Sequence, residues 1–229
     1  MDIAISPGGK WALRVVLAAL VAFLYAPLLL LVVFSFNDSD VPVFPLTGFT
    51  TRAYEQFLAN PELRNAVLTS GKVALVASVI SVVLGLLAAI ALVRKQFAGK
   101  GVVSALLLSP LVIPYIVFAI ALLILFVQID KLPGISLPQS MWTLIIGHVV
   151  ILLPYVILVL IPRLERIDVR LEEAAYDLGA SSWRTFRSIT LPLIWPALLS
   201  AFLVSFVFSF DEIILASFIA GTATPFPLY

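Results

Sequence analysis

Two adjacent carboxylates, Asp211 and Glu212, stand inside the apolar run SFVFSFDEIILASF. A carboxylate at membrane depth costs several kcal/mol unless it meets a partner or water, so such groups usually mark a solute or ion route. Ser205, Ser209 and Glu212 recur at helical spacing and are expected on one face. Asp211 then projects about 100° away from them and is free to pair with another helix. The expected arrangement is a water-filled route lined by Glu212, Ser205 and Ser209, with Asp211 beside it, near the outward end of its span and suited to a cation. A structural ion pair or a hinge network is the alternative for the acidic pair. His148, the one histidine, has no second ligand at metal spacing. It reads as a structural hydrogen-bonding group rather than a metal ligand or proton relay.

A second cluster of polar residues fills the stretch from Glu172 to Pro192, EEAAYDLGASSWRTFRSITLP. Asp168 can cap a helix beginning just after it, with Glu172 and Glu173 near the positive N-terminal end. Gly179 stands where a left-handed glycine would stop that helix. Ser181 or Ser182 can cap a second short helix, Trp183 to Thr190, and Pro192 is expected to mark the join to the next apolar segment. The stretch therefore reads as helix, sharp turn, helix, outside the lipid.

The spacing Glu173-Ala174-Ala175, three residues, Gly179, nine residues, Ile189-Thr190-Leu191-Pro192 resembles the EAA loop of ABC importer membrane subunits. That resemblance implies a cytoplasmic loop, about 165–192, whose first helix lies in a groove of an ATPase subunit and passes its motion to the membrane helices. Glu173, Ala174, Ala175, Gly179, Ile189, Leu191 and Pro192 would form the coupling site. A small-residue helix face suits the helix-in-groove mode of docking. The acidic pair at Asp211 and Glu212 resembles the spermidine/putrescine-type branch of that family. Many members of that branch carry an acid directly after a proline corresponding to Pro114, where this chain has Tyr115.

The elements that must carry these residues follow from composition. Hydrophobic residues make up 62% of the chain, charged residues 12%, and the mean hydropathy is +1.14. A soluble domain is typically near half apolar and one quarter charged, so this is an all-α polytopic membrane protein. Five runs are long enough for a hydrocarbon core of about 30 Å, which takes about 20 residues: roughly 11–36, 66–93, 102–127, 141–163 and 193–219. They are expected to form one transmembrane permease domain over residues 1–229. A short polar leader, Met1 to Lys10, precedes the first run, which reads as an uncleaved span. Thr51 to Leu58 reads as a short amphipathic helix. Ala74, Ser78, Ser81, Gly85 and Ala88 form a small-residue stripe that would let another helix approach closely. Pro110 and Pro114 are expected to kink the third span. Family members normally have six spans. The sixth is missing here, and the chain stops at Pro227-Leu228-Tyr229.

Orientation follows the positive-inside rule. The N-terminus, the 94–100 turn and the 163–187 loop hold ten Lys and Arg residues, and the loops of the other side hold four. The N-terminus and the 172–192 stretch are therefore expected in the cytoplasm of a bacterial cell, with the chain in its inner membrane. No G-x-x-x-x-G-K-S/T occurs, so the chain itself does not cradle ATP. With no Cys there is no disulfide or thiolate metal site, and the few charges give no footprint for nucleic acid.

The family resemblance implies an ATPase pair that binds the ATP, a second homologous permease, an extracytoplasmic solute-binding protein, and surrounding lipid. The solute class implied is a polyamine. Two readings from other classes are an ion-coupled carrier or channel using Asp211 and Glu212, and a non-transporting scaffold whose polar loop recruits a soluble partner.

Overall fold

A computed structural model of the protein describes residues 6–39, 41–134, 136–221, 223, 225 and 226. The chain end at Pro227-Leu228-Tyr229 lies outside the described residues, as does the start of the polar leader. The described residues form helices and their connections, with one isolated bridge between Asn37 and Phe49. Four helices are long and apolar enough to cross a membrane, and a fifth span results if one bent pair counts as one. The chain divides into two compact units at Arg64 and Asn65.

In the first unit, α1 (Pro7–Ser35) begins at a proline behind Ser6, whose hydroxyl accepts from the Gly9 N–H at 3.2 Å. Proline at the first helical position loses no hydrogen bond, since that N–H would be unpaired anyway. None of its 29 residues is buried. A helix apolar on every side has no water-facing stripe, so lipid or another chain is the surrounding this helix suits. After α1 the chain folds back on itself. Asp38 N–H donates to the Gly48 carbonyl and Thr50 N–H to the Phe36 carbonyl. Phe36 stacks on Phe49 with centroids 5.2 Å apart. The expected amphipathic helix is α2 (Arg52–Ala59), held by Tyr54 Oη and Ser35 Oγ at 2.7 Å.

The second unit is built around α6 (Met141–Glu165), in which Leu144, Leu152, Val156, Ile157, Leu160 and Leu164 are fully buried. The helix runs through Pro154 and Pro162, as membrane helices can when neighbours satisfy the freed carbonyls. Its N-terminal half packs with α5 (Tyr115–Asp130), α10 (Ile214–Ile219) and Val73 and Ala77 of α3 (Pro61–Arg94). Its C-terminal half packs with α9 (Leu191–Phe210) and Ala89 of α3.

The small-residue stripe of α3 is buried at Ala74, Ser78, Ser81 and Gly85, but continues at Ala89 rather than Ala88. An extra methyl group at Gly85 would lie 2.5 Å from Val156 Cγ1. Only glycine permits this approach, and close backbone approach is what small residues supply between helices in lipid.

Two expected spans are not single helices. The third, 102–127, consists of α4 (Lys100–Leu108), a 3-10 turn Ser109–Leu111, and α5, with a bend of 107° between the halves. Pro110 lacks the N–H that would continue α4, and Pro114 biases Ile113 away from helical geometry. The kink expected of these prolines is thus a near right angle. The fifth, 193–219, ends at Phe210 and restarts at Ile214.

At the other end of α9 the difference runs the opposite way. No break occurs at Pro192. Instead α8 (Ser182–Thr185), a π turn (Phe186–Thr190) and α9 form one continuous 29-residue helix, Ser182–Phe210. The wider turn, with Leu191 N–H reaching back to the Phe186 carbonyl, takes up the irregularity next to the proline.

Replacing Gly85 with Ala is expected to lower stability by about 1–3 kcal/mol through overpacking. Adding Val156→Ala should restore part of that loss. Thermal unfolding of the two variants in detergent checks this, and equal losses would show that the contact does not limit packing.

Candidate functional site

Two places gather the polar residues of the second unit. The first is the elbow made by α7 (Val169–Asp177) and α8. Asp168 caps α7 by accepting the Arg170 N–H at 3.0 Å. The helix stops in a Schellman arrangement: Gly179 N–H donates to the Tyr176 carbonyl and Ala180 N–H to the Ala175 carbonyl, both at 2.9 Å. Gly179 has φ +79°, a left-handed conformation that glycine adopts without a Cβ clash. Ser181 then caps α8 by accepting the Arg184 N–H at 3.3 Å.

The elbow offers an apolar surface. Leu178 is 89% exposed and Trp183 68%. Glu173 and Ala174 are exposed on α7, while Ala175 is half-buried. Ala175 and Ile189 share a hollow of about 250 Å³ with Leu178, Ala180, Arg184 and Thr185. Leu191 and Pro192 lie in the first turn of α9. The motif residues are thus brought to one small region, with Glu173 and Ala174 turned outward and Ala175 and Ile189 inward.

Glu172 holds the elbow to the rest of the unit, a role that sequence reasoning missed. Its Oε1 lies 3.2 Å from Arg94 Nη2 and accepts from the Thr190 hydroxyl at 2.9 Å. Both side chains of the ion pair are largely buried, 15% exposed for Arg94 and 14% for Glu172. Arg94 Nη2 also lies 3.5 Å from the Ile167 carbonyl. The only local signal was an acid beside the small-residue pair of α7 and an arginine closing α3.

The second place is a hollow of about 340 Å³ where α9 breaks, bounded by Tyr115, Tyr155, Phe208, Asp211, Glu212 and Ile213 among others. The 107° bend brings Tyr115, the first residue of α5, to it. Tyr155 and Phe208 stack with centroids 5.0 Å apart. Carboxylates and aromatic rings are the groups that attract an organic cation, and both kinds bound this hollow.

Glu212 does not belong to the helix that carries Ser205 and Ser209. Helix α9 has already ended at Phe210, so the projection along a regular helix does not carry across. The Glu212 carboxylate instead accepts the Leu215 N–H at 2.9 Å and the Ala216 N–H at 3.1 Å, satisfying donors that the first turn of α10 leaves open. For the same reason Asp211 does not project away from Glu212; it is exposed at the end of α9 and bounds the same hollow. Ser205 and Ser209 are buried and do not line it. Ser209 Oγ pairs with His148 Nδ1 at 2.6 Å, the hydrogen bond expected of that histidine. Among the described residues no cluster of three metal-ligating side chains occurs.

Comparison with known proteins adds four findings. Residues 81–228 match the family model described as binding-protein-dependent transport system inner membrane component. The chain is 38% identical over 208 residues to the putrescine transport system permease protein PotI of Escherichia coli (strain K12), covering 90% of this chain and 74% of that one. It is 40% identical over 202 residues to the spermidine/putrescine transport system permease protein PotC of Haemophilus influenzae, covering 88% and 76%. A solved structure of a bacterial ABC transporter involved in the import of the acidic polysaccharide alginate shares the fold, with TM-score 0.69 and 18% identity, over 96% of this chain and 76% of the solved one.

The Arg94–Glu172 pair is open to a double-mutant cycle with Arg94→Met and Glu172→Gln. The expected coupling energy is about 1–3 kcal/mol, since the charges are near one another and mostly shielded from water. Unfolding of the four proteins in detergent measures it. Additive effects would mean the two groups do not hold each other.

Proposed function

The chain belongs to the family of inner membrane components of binding-protein-dependent transport systems, and from that premise we propose that it is the permease subunit through which an ATP-driven importer admits a polyamine. Membership makes it a membrane-embedded transport subunit, not an enzyme; the ATPase is a separate subunit. The observation that carries the solute class is the hollow at the end of α9, where Asp211 and Glu212 face Tyr115, Tyr155 and Phe208. An ammonium group gains from both the carboxylates and the ring faces. Relatives named for putrescine and spermidine support the same class.

In this reading the N-terminus and the 165–192 loop face the cytoplasm, as the distribution of Lys and Arg supports. An ATPase of a pair receives the elbow. The exposed Glu173 and Ala174, with Leu178 and Trp183 beside them, make the contact. Ala175, Gly179, Ile189, Leu191 and Pro192 keep its shape. A second, homologous permease completes the route, and an extracytoplasmic binding protein delivers the solute. Asp211 and Glu212 line the route directly. Ser205 and Ser209, being buried, support its wall.

ATP binding closes the ATPases, the elbow carries their motion, and the hollow alternates between the two faces of the membrane. An ion-coupled carrier would instead transport without any ATPase.

Glu212→Gln is expected to lower putrescine uptake by the reconstituted importer about tenfold to a hundredfold, the worth of one charge-assisted hydrogen bond, with the complex still assembled. Unchanged uptake would remove the cation reading. Cysteines at Ala174 or Ala175 are expected to crosslink to the ATPase subunit from the cytoplasmic side. Labelling from the exterior alone would overturn the orientation.

A further inference from the structure

His148 belongs to α6, yet its ring joins the two helices that flank the acidic hollow. On one side Nδ1 meets Ser209 Oγ of α9 at 2.6 Å. On the other, Nε2 lies 3.9 Å from Glu212 Oε2, and the two side chains are only 3% and 8% exposed. Among the described residues Nε2 has no hydrogen-bond partner. The contact at 3.9 Å is electrostatic rather than a formed hydrogen bond.

The neighbours select the tautomer. If Nδ1 carried the proton, the Nε2 lone pair would face a carboxylate, which is repulsive. If the Ser209 hydroxyl donates to Nδ1, Nε2 carries the proton and points a donor at Glu212. The second arrangement is the favourable one. It makes a polarised chain running from Ser209 through His148 to Glu212. The carboxylate is then held from two directions: backbone donors Leu215 N–H and Ala216 N–H along α10, and the imidazole from α6.

We propose that His148 is a positioning residue for the solute site: through its Nε2–H it fixes the direction in which Glu212 presents its carboxylate to a cation in the hollow. The inference rests on the reading of that hollow as the cation site. Because the imidazole lies at more than hydrogen-bond distance and does not line the hollow, it acts on Oε2 without taking up a lone pair that an ammonium group needs. The turn of α6 that carries the ring is packed closely on α10: a methyl group at neighbouring Gly147 would collide with Ile219 Cδ1 and lie 3.0 Å from Leu215 Cδ2.

The test uses the complete importer in proteoliposomes, with putrescine uptake as the readout. His148→Leu removes the donor, and His148→Gln keeps an N–H at similar reach. His148→Leu is expected to raise the half-saturation constant about threefold to tenfold, the worth of an electrostatic contact longer than a hydrogen bond, with the loss falling on that constant rather than on the maximal rate. His148→Gln should recover most of it. If His148→Leu does not assemble, Ser209→Ala provides the second arm, since it frees the ring and should raise the constant in the same direction.

An unchanged constant in whichever of these variants assembles overturns the proposal, and so do equal losses in His148→Leu and His148→Gln. Glu212→Gln separates the two levels. If it abolishes uptake while the His148 variants leave the constant alone, only the role of His148 fails. If Glu212→Gln transports normally, the cation site itself fails.

Discussion

A single carboxylate, that of Glu172, fixes how the polar elbow sits on the helices. Two stretches converge on it, the end of α3 through Arg94 and the π turn through Thr190, and Arg94 also reaches the Ile167 carbonyl in the turn after α6. A charge this shielded is costly unless paired, and the cost of stranding either partner is what gives the contact its specificity. A surface ion pair would hold little, because water and salt screen it. Here the pair lies where α7 leaves the helical bundle, so the direction of α7 is set by charge geometry rather than by apolar packing, which has no directional preference.

Both functional places arise where regular helix is interrupted, and the interruptions have separate causes. Proline creates the right angle between α4 and α5, which delivers Tyr115 to the hollow. Acid ends α9: Glu212 turns its carboxylate onto the N–H groups of Leu215 and Ala216, offering the backbone a local alternative to continuing the helix. At depth in a membrane, irregular backbone is tolerated only where protein covers it or it lines a cavity. The hollow at this break meets that condition. The same break that satisfies the backbone also places two carboxylates on one cavity.

What could be read from the sequence was what short-range chemistry decides. The caps at Asp168 and Ser181 and the glycine stop at Gly179 follow from hydrogen bonds within a few residues, and the structure has each of them. The helical class and membrane setting follow from composition. Glu172 was legible only as an acid in a first helical turn, because its partner Arg94 is 78 residues away. The grouping of Ser205, Ser209 and Glu212 failed because it extrapolated one helix across a break whose cause, a carboxylate capping the next helix, lies within the very residue being placed. The separate short helix expected before Pro192 runs on into α9 for the converse reason. A proline near a helix start removes little, and a π turn absorbed the remainder.

That last difference bears on how the two places communicate. The elbow's second arm and the wall of the hollow belong to one uninterrupted helix, Ser182–Phe210, about 43 Å long at 1.5 Å per residue. A hinge at Pro192 would let the elbow swing without moving the far end. A continuous helix cannot do so. In the proposed coupling, a push at α8 would be felt at Phe208, at the other end of the same helix, against an α6 that is buried along both halves of its length. The wider turn at Phe186–Thr190, tied by Thr190 to Glu172, is where the two arms of the elbow are fastened together. In the proposed coupling, motion of α7 would enter the long helix at that turn and reach the acidic hollow through it.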